Sequence, residues 1–208
     1  MKIICIGRNY AAHAAELGNA RPDRPIVFMK PGSAILPNNK PFYYPDYSQD
    51  IHYEVEVVVK IAKNGRHVEP GFAMDYVESI GLGLDLTARD LQQACKDKGH
   101  PWEIAKAFDN SAPLSADFFP PKDFTDLNDI EFSLEKNGSE VQHGHSRHML
   151  FPLTELICYT SRFFRLQKGD LLFTGTPEGV GALAIGDELV GYLWTTAGKQ
   201  EMFRTRVK

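Results

Sequence analysis

The chain has 208 residues, 43% of them hydrophobic, which is enough for one well-filled core, so we expect a single domain over residues 1–208. Its 23 basic and 27 acidic residues give a formal net charge of −4 without a long block of like charge. This pattern excludes the electrostatic footprint of a protein that binds nucleic acid or an anionic membrane, and it favours a small-molecule partner.

The chain shows no secretory or membrane signal and no disulfide framework. No charged segment followed by an apolar run opens it, and no apolar stretch approaches the roughly 18 residues of a membrane span, so we expect a cytoplasmic location. Cys5, Cys95 and Cys158 lie far apart and include no C-x-x-C pair. We interpret them as buried free thiols.

The N-terminal segment combines a strand with a short polar helix. Residues 3–7 are predicted as a strand, and Tyr10 to Gly18 has helical composition with a glycine stop. On that helix His13 and Glu16 are i, i+3 neighbours, close enough to act as a base and its orienting carboxylate, or to be an ordinary surface pair. The polar, proline-containing stretch 19–25 follows, so we expect residues 8–25 to form a mobile lid.

The next two predicted strands carry charged residues. Residues 25–29 are predicted as a strand that ends at Lys30. A second strand, residues 51–62, places Glu54 and Glu56 on one face roughly 6.5–7 Å apart at the backbone, where both can reach one cation. The alternative is the wet face of a half-buried strand, and a metal site would need a third ligand. Asn64-Gly65 then predicts a tight turn.

Residues 72–76 are predicted as a helical turn, and residues 77–86 as a strand that ends beside Asp85. Glycines within that strand indicate a bend or the close approach of another backbone. A helix over residues 87–96 follows, with Thr87 as its N-cap. Arg89 and Gln92 share one face of this helix, which faces either the cavity near Asp85 or solvent.

Residues 102–108 are predicted as a strand that carries Lys106 among small and apolar neighbours. This lysine is either exposed or stabilises an anion in a dry site. Residues 112–124 are predicted as a loop, and residues 130–141 as a hairpin that turns at Asn137-Gly138.

The C-terminal third predicts further strands around one amphipathic helix at 152–164. His143, His145 and His148 lack the spacing of a specific zinc motif, so we interpret them as part of a polar edge and loop. The glycine-rich stretch 175–181 lacks the Gly-Lys-Ser of a P-loop, but its backbone N–H groups and the Thr176 hydroxyl can still bind a carboxylate. Strands are predicted at 187–196 and 200–207.

Taken together, these segments resemble the fumarylacetoacetate hydrolase family, and specifically its short acylpyruvase-like branch. The resemblance implies a mixed α+β, predominantly β fold, a β-sandwich roll with short peripheral helices, and a homodimer. The matching blocks are Gly7-Arg8-Asn9-Tyr10 with His13 and Glu16, Phe28-Met29-Lys30-Pro31, His52-Tyr53-Glu54-Val55-Glu56, Asp85-Leu86-Thr87-Ala88-Arg89-Asp90, Ala105-Lys106 and Thr174-Gly175-Thr176-Pro177.

The resemblance also implies roles for particular residues. It makes Asp85 the third metal ligand beside Glu54 and Glu56. His13 and Glu16 would form a catalytic dyad on the lid. Lys106 would be a catalytic lysine near the metal, and the implied substrate-binding residues are Arg8, Lys30, Arg89, Gln92 and Thr176.

Three carboxylate ligands favour a hard cation such as Mg²⁺, with Mn²⁺ or Ca²⁺ able to compete. The expected reaction is hydrolysis of a C–C bond in an acylpyruvate through a metal-stabilised pyruvate enolate. The alternatives are decarboxylation of oxaloacetate, isomerisation or hydration of ring-cleavage dienoates, and, in a different class, a non-catalytic β-fold that binds a small carboxylic acid.

Overall fold

Runs rich in valine, isoleucine and leucine form the central sheet of the protein. The computed structural model describes residues 1–18, 20–37 and 40–208, so residue 19 of the predicted lid and loop lies outside the described residues. The seven strands of this sheet are, in spatial order, β2 (Ile26–Lys30), β1 (Ile3–Gly7), β11 (Leu171–Phe173), β5 (Val55–Ile61), β6 (Val77–Leu84), β8 (Ala112–Leu114) and β3 (Ile35–Pro37).

Two smaller sheets and four short helices complete the described chain, in agreement with the predicted mixed α+β, mostly β class. The four-stranded sheet contains, in order, β10 (Ser139–His145), β9 (Glu131–Lys136), β13 (Glu188–Thr195) and β14 (Gly198–Arg206). The three-stranded sheet contains β12 (Gly181–Ala182), β4 (Ile51–Tyr53) and β7 (Thr87–Ala88). The helices are α1 (Ala11–Glu16), α2 (Arg89–Lys98), α3 (Glu103–Lys106) and α4 (Leu153–Phe163).

Strand β5 lies between β11 and β6 and is buried on both faces. Val55, Val57 and Val59 belong to the main hydrophobic core, whereas Val58 packs in a second cluster with Phe173. The alternative prediction of a wet face is therefore wrong for this strand. Cys5 and Cys95 are buried free thiols, as predicted, whereas Cys158 is a free thiol that is only partly buried.

The predicted strand 51–62 is interrupted at Glu54, because the chain passes there from the three-stranded sheet to the seven-stranded one. The chain returns at Asp85, between β6 and β7. Each of these two short crossings thus contains an acidic residue, and the Asp85 N–H donates to the Glu54 carbonyl at 2.8 Å.

Three predictions between residues 87 and 124 are wrong. Residues 102–108 contain the helical turn α3, in which the Lys106 N–H donates to the Trp102 carbonyl at 2.9 Å. Thr87 does not cap α2, because its backbone pairs with His52 in the three-stranded sheet. The predicted loop 112–124 begins with β8, which pairs with β3 and β6.

Asn64-Gly65 is not a tight turn either. A Cβ on Gly65 would lie 2.1 Å from the Tyr76 hydroxyl oxygen, so this glycine permits a close contact. Gly65 instead forms a bridge with Leu166, and a 3₁₀ helix at Pro70–Tyr76, near the predicted helical turn, leads into β6.

The remaining elements follow the predicted pattern. The hairpin turns at Asn137 and Gly138, which have φ values of 54° and 78° as a tight β-turn of this type requires. Helix α4 buries its predicted apolar face in the main core. Among the described residues, no helix is long and apolar enough to cross a membrane.

Candidate active site

Glu54, Glu56 and Asp85 converge at the crossing between the two sheets. Antiparallel pairing sets Val55 opposite Leu84 and Glu56 opposite Gly83, so the next residues along, Glu54 and Asp85, also face each other. One carboxylate oxygen from each acid lies within 4.8 Å of the others, and each residue is at most 4% exposed. Strand register thus brings the predicted third ligand to the two glutamates.

These three acids fit a divalent cation. All donors are carboxylate oxygens, the ligands that hard cations prefer. Asp85 Oδ1 is buried and lies 2.9 Å from the Lys30 ammonium, its ion-pair partner among the described residues. Burial, together with the charges of Asp85 and Glu54, raises the pKa of Glu56 well above its ordinary value, although the Gly175 N–H opposes this. A cation held between the three groups would offset this repulsion.

Lys106 and Arg89 supply positive charge at the same point. Lys106 Nζ donates to Glu54 Oε2 at 2.8 Å, to Asp85 Oδ2 at 2.6 Å and to Thr87 Oγ1 at 2.6 Å. Arg89 Nη2 donates to Glu54 Oε1 at 2.5 Å, while its Nη1 donates to Gln92. Burial alone would raise the pKa of Glu54, but Lys106 and Arg89 outweigh it and hold that pKa far below its ordinary value.

Lys30 lies beneath the carboxylates and is only 1% exposed. Its Nζ donates to the carbonyls of Lys106 and Ser111 and to the Ser111 hydroxyl, and it lies 2.9 Å from Asp85 Oδ1. Its donors are thus directed at protein groups. This geometry favours positioning of Asp85 by Lys30, and direct substrate binding by Lys30 stays a prediction.

Helix α1 places His13 and Glu16 beside the carboxylates. His13 is 4% exposed, and its Nδ1 lies 3.5 Å from Glu16 Oε2, beyond an ordinary hydrogen bond. Both oxygens of Glu16 accept from the Gly179 N–H, at 3.1 and 3.2 Å. Burial lowers the pKa of His13 from its ordinary 6.5, against the opposing influence of Glu54 and Glu16. The lowered pKa favours the neutral form of His13, which a general base requires.

Asn9 and Gln142 hold the site together, and neither was singled out from the sequence. Asn9 Nδ2 donates to the carbonyls of Phe151 and Thr174, which fixes the entry to α1. Gln142 Oε1 accepts from the Val55 N–H at 2.9 Å, and its Nε2 donates to Thr176 Oγ1 at 2.9 Å. No local motif marks such long-range amide contacts. The Thr176 hydroxyl in turn donates to the Val55 carbonyl, so it is engaged within the protein.

Gly175 joins the glycine-rich loop to both the carboxylates and the segment that precedes α1. Its N–H donates to Glu56 Oε2 at 2.8 Å, its φ is 101°, and an added Cβ would lie 2.6 Å from Asn9 Cβ. We expect Gly175→Ala to lower the free energy of unfolding by about 2 kcal/mol or more, since it adds backbone strain to overpacking.

Urea denaturation measures this effect. Gly186→Ala is the matched control, because Gly186 has a φ of 98° but open space around its added Cβ. The difference between the two variants isolates the contact with Asn9, and equal destabilisation of both would refute its importance.

Cationic side chains dominate the cavity above the carboxylates. It is lined by Arg8, Arg89, Lys96 and Lys106 and by one carboxylate, Glu54, with Phe28 and Trp102 as apolar walls. Burial first, and then the charges of Arg8, Arg89 and Lys106, lower the pKa of Lys96. Lys96 was missed, although it lies seven residues after Arg89 and four after Gln92 and so shares their helix face.

The comparisons with known proteins agree with this architecture. The family model described as "Fumarylacetoacetate (FAA) hydrolase C-terminal" matches residues 2–204. The chain is 42% identical over 187 residues to the mitochondrial oxaloacetate tautomerase FAHD1 of Bos taurus, covering 90% of this chain and 84% of that protein. It is 43% identical over 189 residues to the oxaloacetate tautomerase YcgM of Escherichia coli K12, covering 90% and 86%.

A solved structure of a third relative holds a metal ion. The fumarylpyruvate hydrolase of Pseudomonas aeruginosa, in complex with Mn²⁺ and pyruvate, superposes with a TM-score of 0.92 at 38% identity. The match covers 100% of this chain and 89% of that one. The buried carboxylates described above therefore occur in a fold that holds a divalent cation in a related protein.

Proposed function

Since this chain belongs to the fumarylacetoacetate hydrolase family, we propose that it is a metal-dependent enzyme for small dianionic 2-oxo acids, and that it catalyses the keto–enol tautomerisation of oxaloacetate. The sequence alone favoured acylpyruvate hydrolysis. The oxaloacetate tautomerases among the relatives and the positive charge of the cavity favour tautomerisation as the first candidate and hydrolysis as the second.

The excess of positive charge in the cavity carries this proposal. Four cationic side chains and one carboxylate line it. Oxaloacetate has a carboxylate at each end, whereas a simple acylpyruvate such as acetylpyruvate has one. A dianion satisfies more of these donors, and hydrogen bonds to charged groups are each worth about 1.5–3 kcal/mol.

The residues of the site have separate roles in the transfer of one proton. In the keto-to-enol direction a C3–H bond breaks and an O–H bond forms at the 2-oxo oxygen, and in the reverse direction the O–H bond breaks and the C3–H bond forms again. His13 takes the proton from C3 and delivers it to the 2-oxo oxygen, or carries it from that oxygen to C3 in the reverse direction, while Glu16 orients the ring. Lys106 faces the negative charge that develops on the 2-oxo oxygen. Arg8, Arg89, Gln92 and Lys96 bind the substrate carboxylates.

A divalent cation held by Glu54, Glu56 and Asp85 would supply Lewis-acid stabilisation of the enolate. We expect Mg²⁺ in this role, with Mn²⁺ or Ca²⁺ as alternatives, because all three acids offer hard oxygen donors.

Hydrolysis of a dianionic acylpyruvate is the second candidate, favoured by the His13–Glu16 pair and by the similarity to a fumarylpyruvate hydrolase. Here water adds to the 4-carbonyl, the C3–C4 bond breaks, and the products are pyruvate and a carboxylic acid. His13 would take the proton from the attacking water. The two reactions share the enolate and differ in whether water is admitted.

A single set of assays separates these functions. Enol-oxaloacetate is followed by its ultraviolet absorbance, and pyruvate release is measured from oxaloacetate, fumarylpyruvate and acetylpyruvate, each with Mg²⁺ or with EDTA. We expect Mg²⁺-dependent loss of the enol absorbance without matching pyruvate release. Pyruvate from fumarylpyruvate would instead favour the hydrolase, and pyruvate from oxaloacetate a decarboxylase. Binding without turnover of any substrate would refute enzymatic function.

Lys96→Gln tests the charge argument. We expect it to lower kcat/KM for the dianionic substrate by about tenfold or more, because a carboxylate loses a charged donor. Lys98→Gln is the control, since Lys98 is exposed on the same helix. An unchanged kcat/KM in Lys96→Gln would contradict the role given to the cavity charge.

A further inference from the structure

The histidines of β10 converge with a glutamate on the outer face of the four-stranded sheet. His143 and His145 share a face of the strand, and the register sets His145 directly opposite Glu131 on β9. One ligand atom from each residue lies within 4.8 Å of the others. His143 Nε2 and Glu131 Oε1 are already 3.0 Å apart, close to the roughly 3.3 Å that separates ligands of a tetrahedral ion with bonds of about 2.0 Å.

Two further carboxylates orient the imidazole rings. His143 Nδ1 lies 3.1 Å from Glu140 Oε1, and His145 Nδ1 lies 3.0 Å from Asp129 Oδ1. A carboxylate at Nδ1 fixes the tautomer that leaves the Nε2 lone pair free for a metal, which is the usual outer arrangement of histidine ligands. Ordinary surface ion pairs would not require a carboxylate at Nδ1 of both rings.

Packing holds the two rings in place. The His143 ring stacks between the rings of Trp194 and His145, each with a centroid distance of 5.7 Å. On the opposite face Gly144 packs so closely that an added Cβ would lie 2.6 Å from the Phe132 ring. Rigid ligands lose little entropy on binding an ion, which favours a specific site.

The local charge and exposure suit cation entry. The side chains of His143, His145 and Glu131 are 39%, 24% and 33% exposed. Three acids, Glu131, Glu140 and Asp129, outnumber the one cation within the cluster, Arg147, which pairs with Asp129 at 2.6 Å. Lys199, over the Trp194 ring, lies 3.4 Å from Glu135 Oε1 outside the cluster.

We propose that Glu131, His143 and His145 bind a divalent transition metal of the Zn²⁺, Ni²⁺ or Cu²⁺ class, at a site separate from the three buried carboxylates. Two imidazoles and one carboxylate prefer such ions, whereas an all-carboxylate site prefers Mg²⁺, Ca²⁺ or Mn²⁺. The proposal does not depend on the enzymatic function.

Trp194 provides a local reporter for this site. The chain has two tryptophans, so Trp102→Phe leaves Trp194 as the only one. This variant is titrated with Ni²⁺ in excess Mg²⁺, which occupies the carboxylate site. We expect saturable quenching of Trp194 fluorescence, and calorimetry with Zn²⁺ should give one site per chain.

Variants of the ligand residues, made in the Trp102→Phe background, test the proposal. His145→Gln and Glu131→Gln leave the ring stacked on Trp194 in place, and each should weaken Ni²⁺ binding by about tenfold or more, since each removes one ligand. His100→Gln, an exposed histidine elsewhere, should change nothing. The proposal is overturned if quenching does not saturate by about 1 mM Ni²⁺, if both ligand variants bind as the parent does, or if His100→Gln weakens binding equally. Circular dichroism shows whether each variant folds. If either His145→Gln or Glu131→Gln fails to fold, calorimetry of the one that folds tests the proposal.

Discussion

Lys106→Met is expected to lower turnover by about 10²–10³-fold, the usual cost of removing one donor from a developing oxyanion. In the structure the Lys106 ammonium is 4% exposed and lies between Glu54 and Asp85. Burial alone would lower its pKa, but Asp85 and Glu54 outweigh burial and raise it, so this lysine is charged throughout the physiological range. Methionine keeps much of the side-chain volume and removes the charge.

The same substitution is expected to destabilise the metal-free protein. It removes one of the two cationic partners of each buried carboxylate, since Glu54 keeps Arg89 and Asp85 keeps Lys30, and removing one partner of a buried pair costs up to about 3–5 kcal/mol. Mg²⁺ should restore much of this stability by neutralising the carboxylates, but it should not restore turnover.

Thermal unfolding and steady-state kinetics, each with and without Mg²⁺, separate the two effects of Lys106→Met. Lys60→Met is the control, because Lys60 forms an exposed pair with Glu78, of a kind worth about 0–1 kcal/mol. If Lys106→Met kept parental turnover in Mg²⁺, Lys106 would have no part in the reaction.

His13→Gln is expected to lower turnover by about 10²–10⁴-fold, the usual contribution of a positioned general base. It should also change the pH profile. Protonated His13 cannot accept a proton, and burial holds its pKa below 6.5, so in the parent enzyme kcat/KM should fall only as the pH drops below that value. The residual activity of His13→Gln should lack this decline.

Glu16→Gln is the matched test of the orienting carboxylate. Glu16 favours the charged form of His13, so its removal should move the acidic decline to still lower pH and reduce turnover less than loss of the base itself. A pH profile of kcat/KM from about pH 5 to 8 measures both effects. If kcat/KM of His13→Gln kept the same decline at acidic pH, the decline would be due to protonation of another group.

Much of the site could be predicted because its residues occur in compact local blocks. Glu54 and Glu56 lie two apart and Arg89 and Gln92 three apart, and the structure brings Glu54, Arg89 and Gln92 to one cavity, with Glu56 close to Glu54. The convergence of Asp85 on Glu54 depends on strand register between distant segments, which no spacing in the sequence encodes. The resemblance to a family supplied it instead.

The errors also have local physical causes. Trp102 to Phe108 is apolar enough for a strand, but its alanines and its glutamate–lysine spacing are equally compatible with the helical turn that forms. Thr87 has the chemistry of an N-cap, but its backbone pairs with His52, and its hydroxyl accepts from Lys106. His143 and His145, by contrast, lie on the edge strand β10, in agreement with their interpretation as part of a polar edge.

The two sheet crossings at Glu54 and Asp85 have a mechanical consequence. A cation held by both residues would link the three-stranded sheet to the seven-stranded one at the points where β4 continues into β5 and β6 into β7. Any sliding of one sheet over the other would displace two donor atoms at once. Binding of the ion and the resistance of the two sheets to sliding would then depend on the same two positions. A mutation that loosens the contact between the sheets, even far from the cavity, should therefore lower the affinity for the ion.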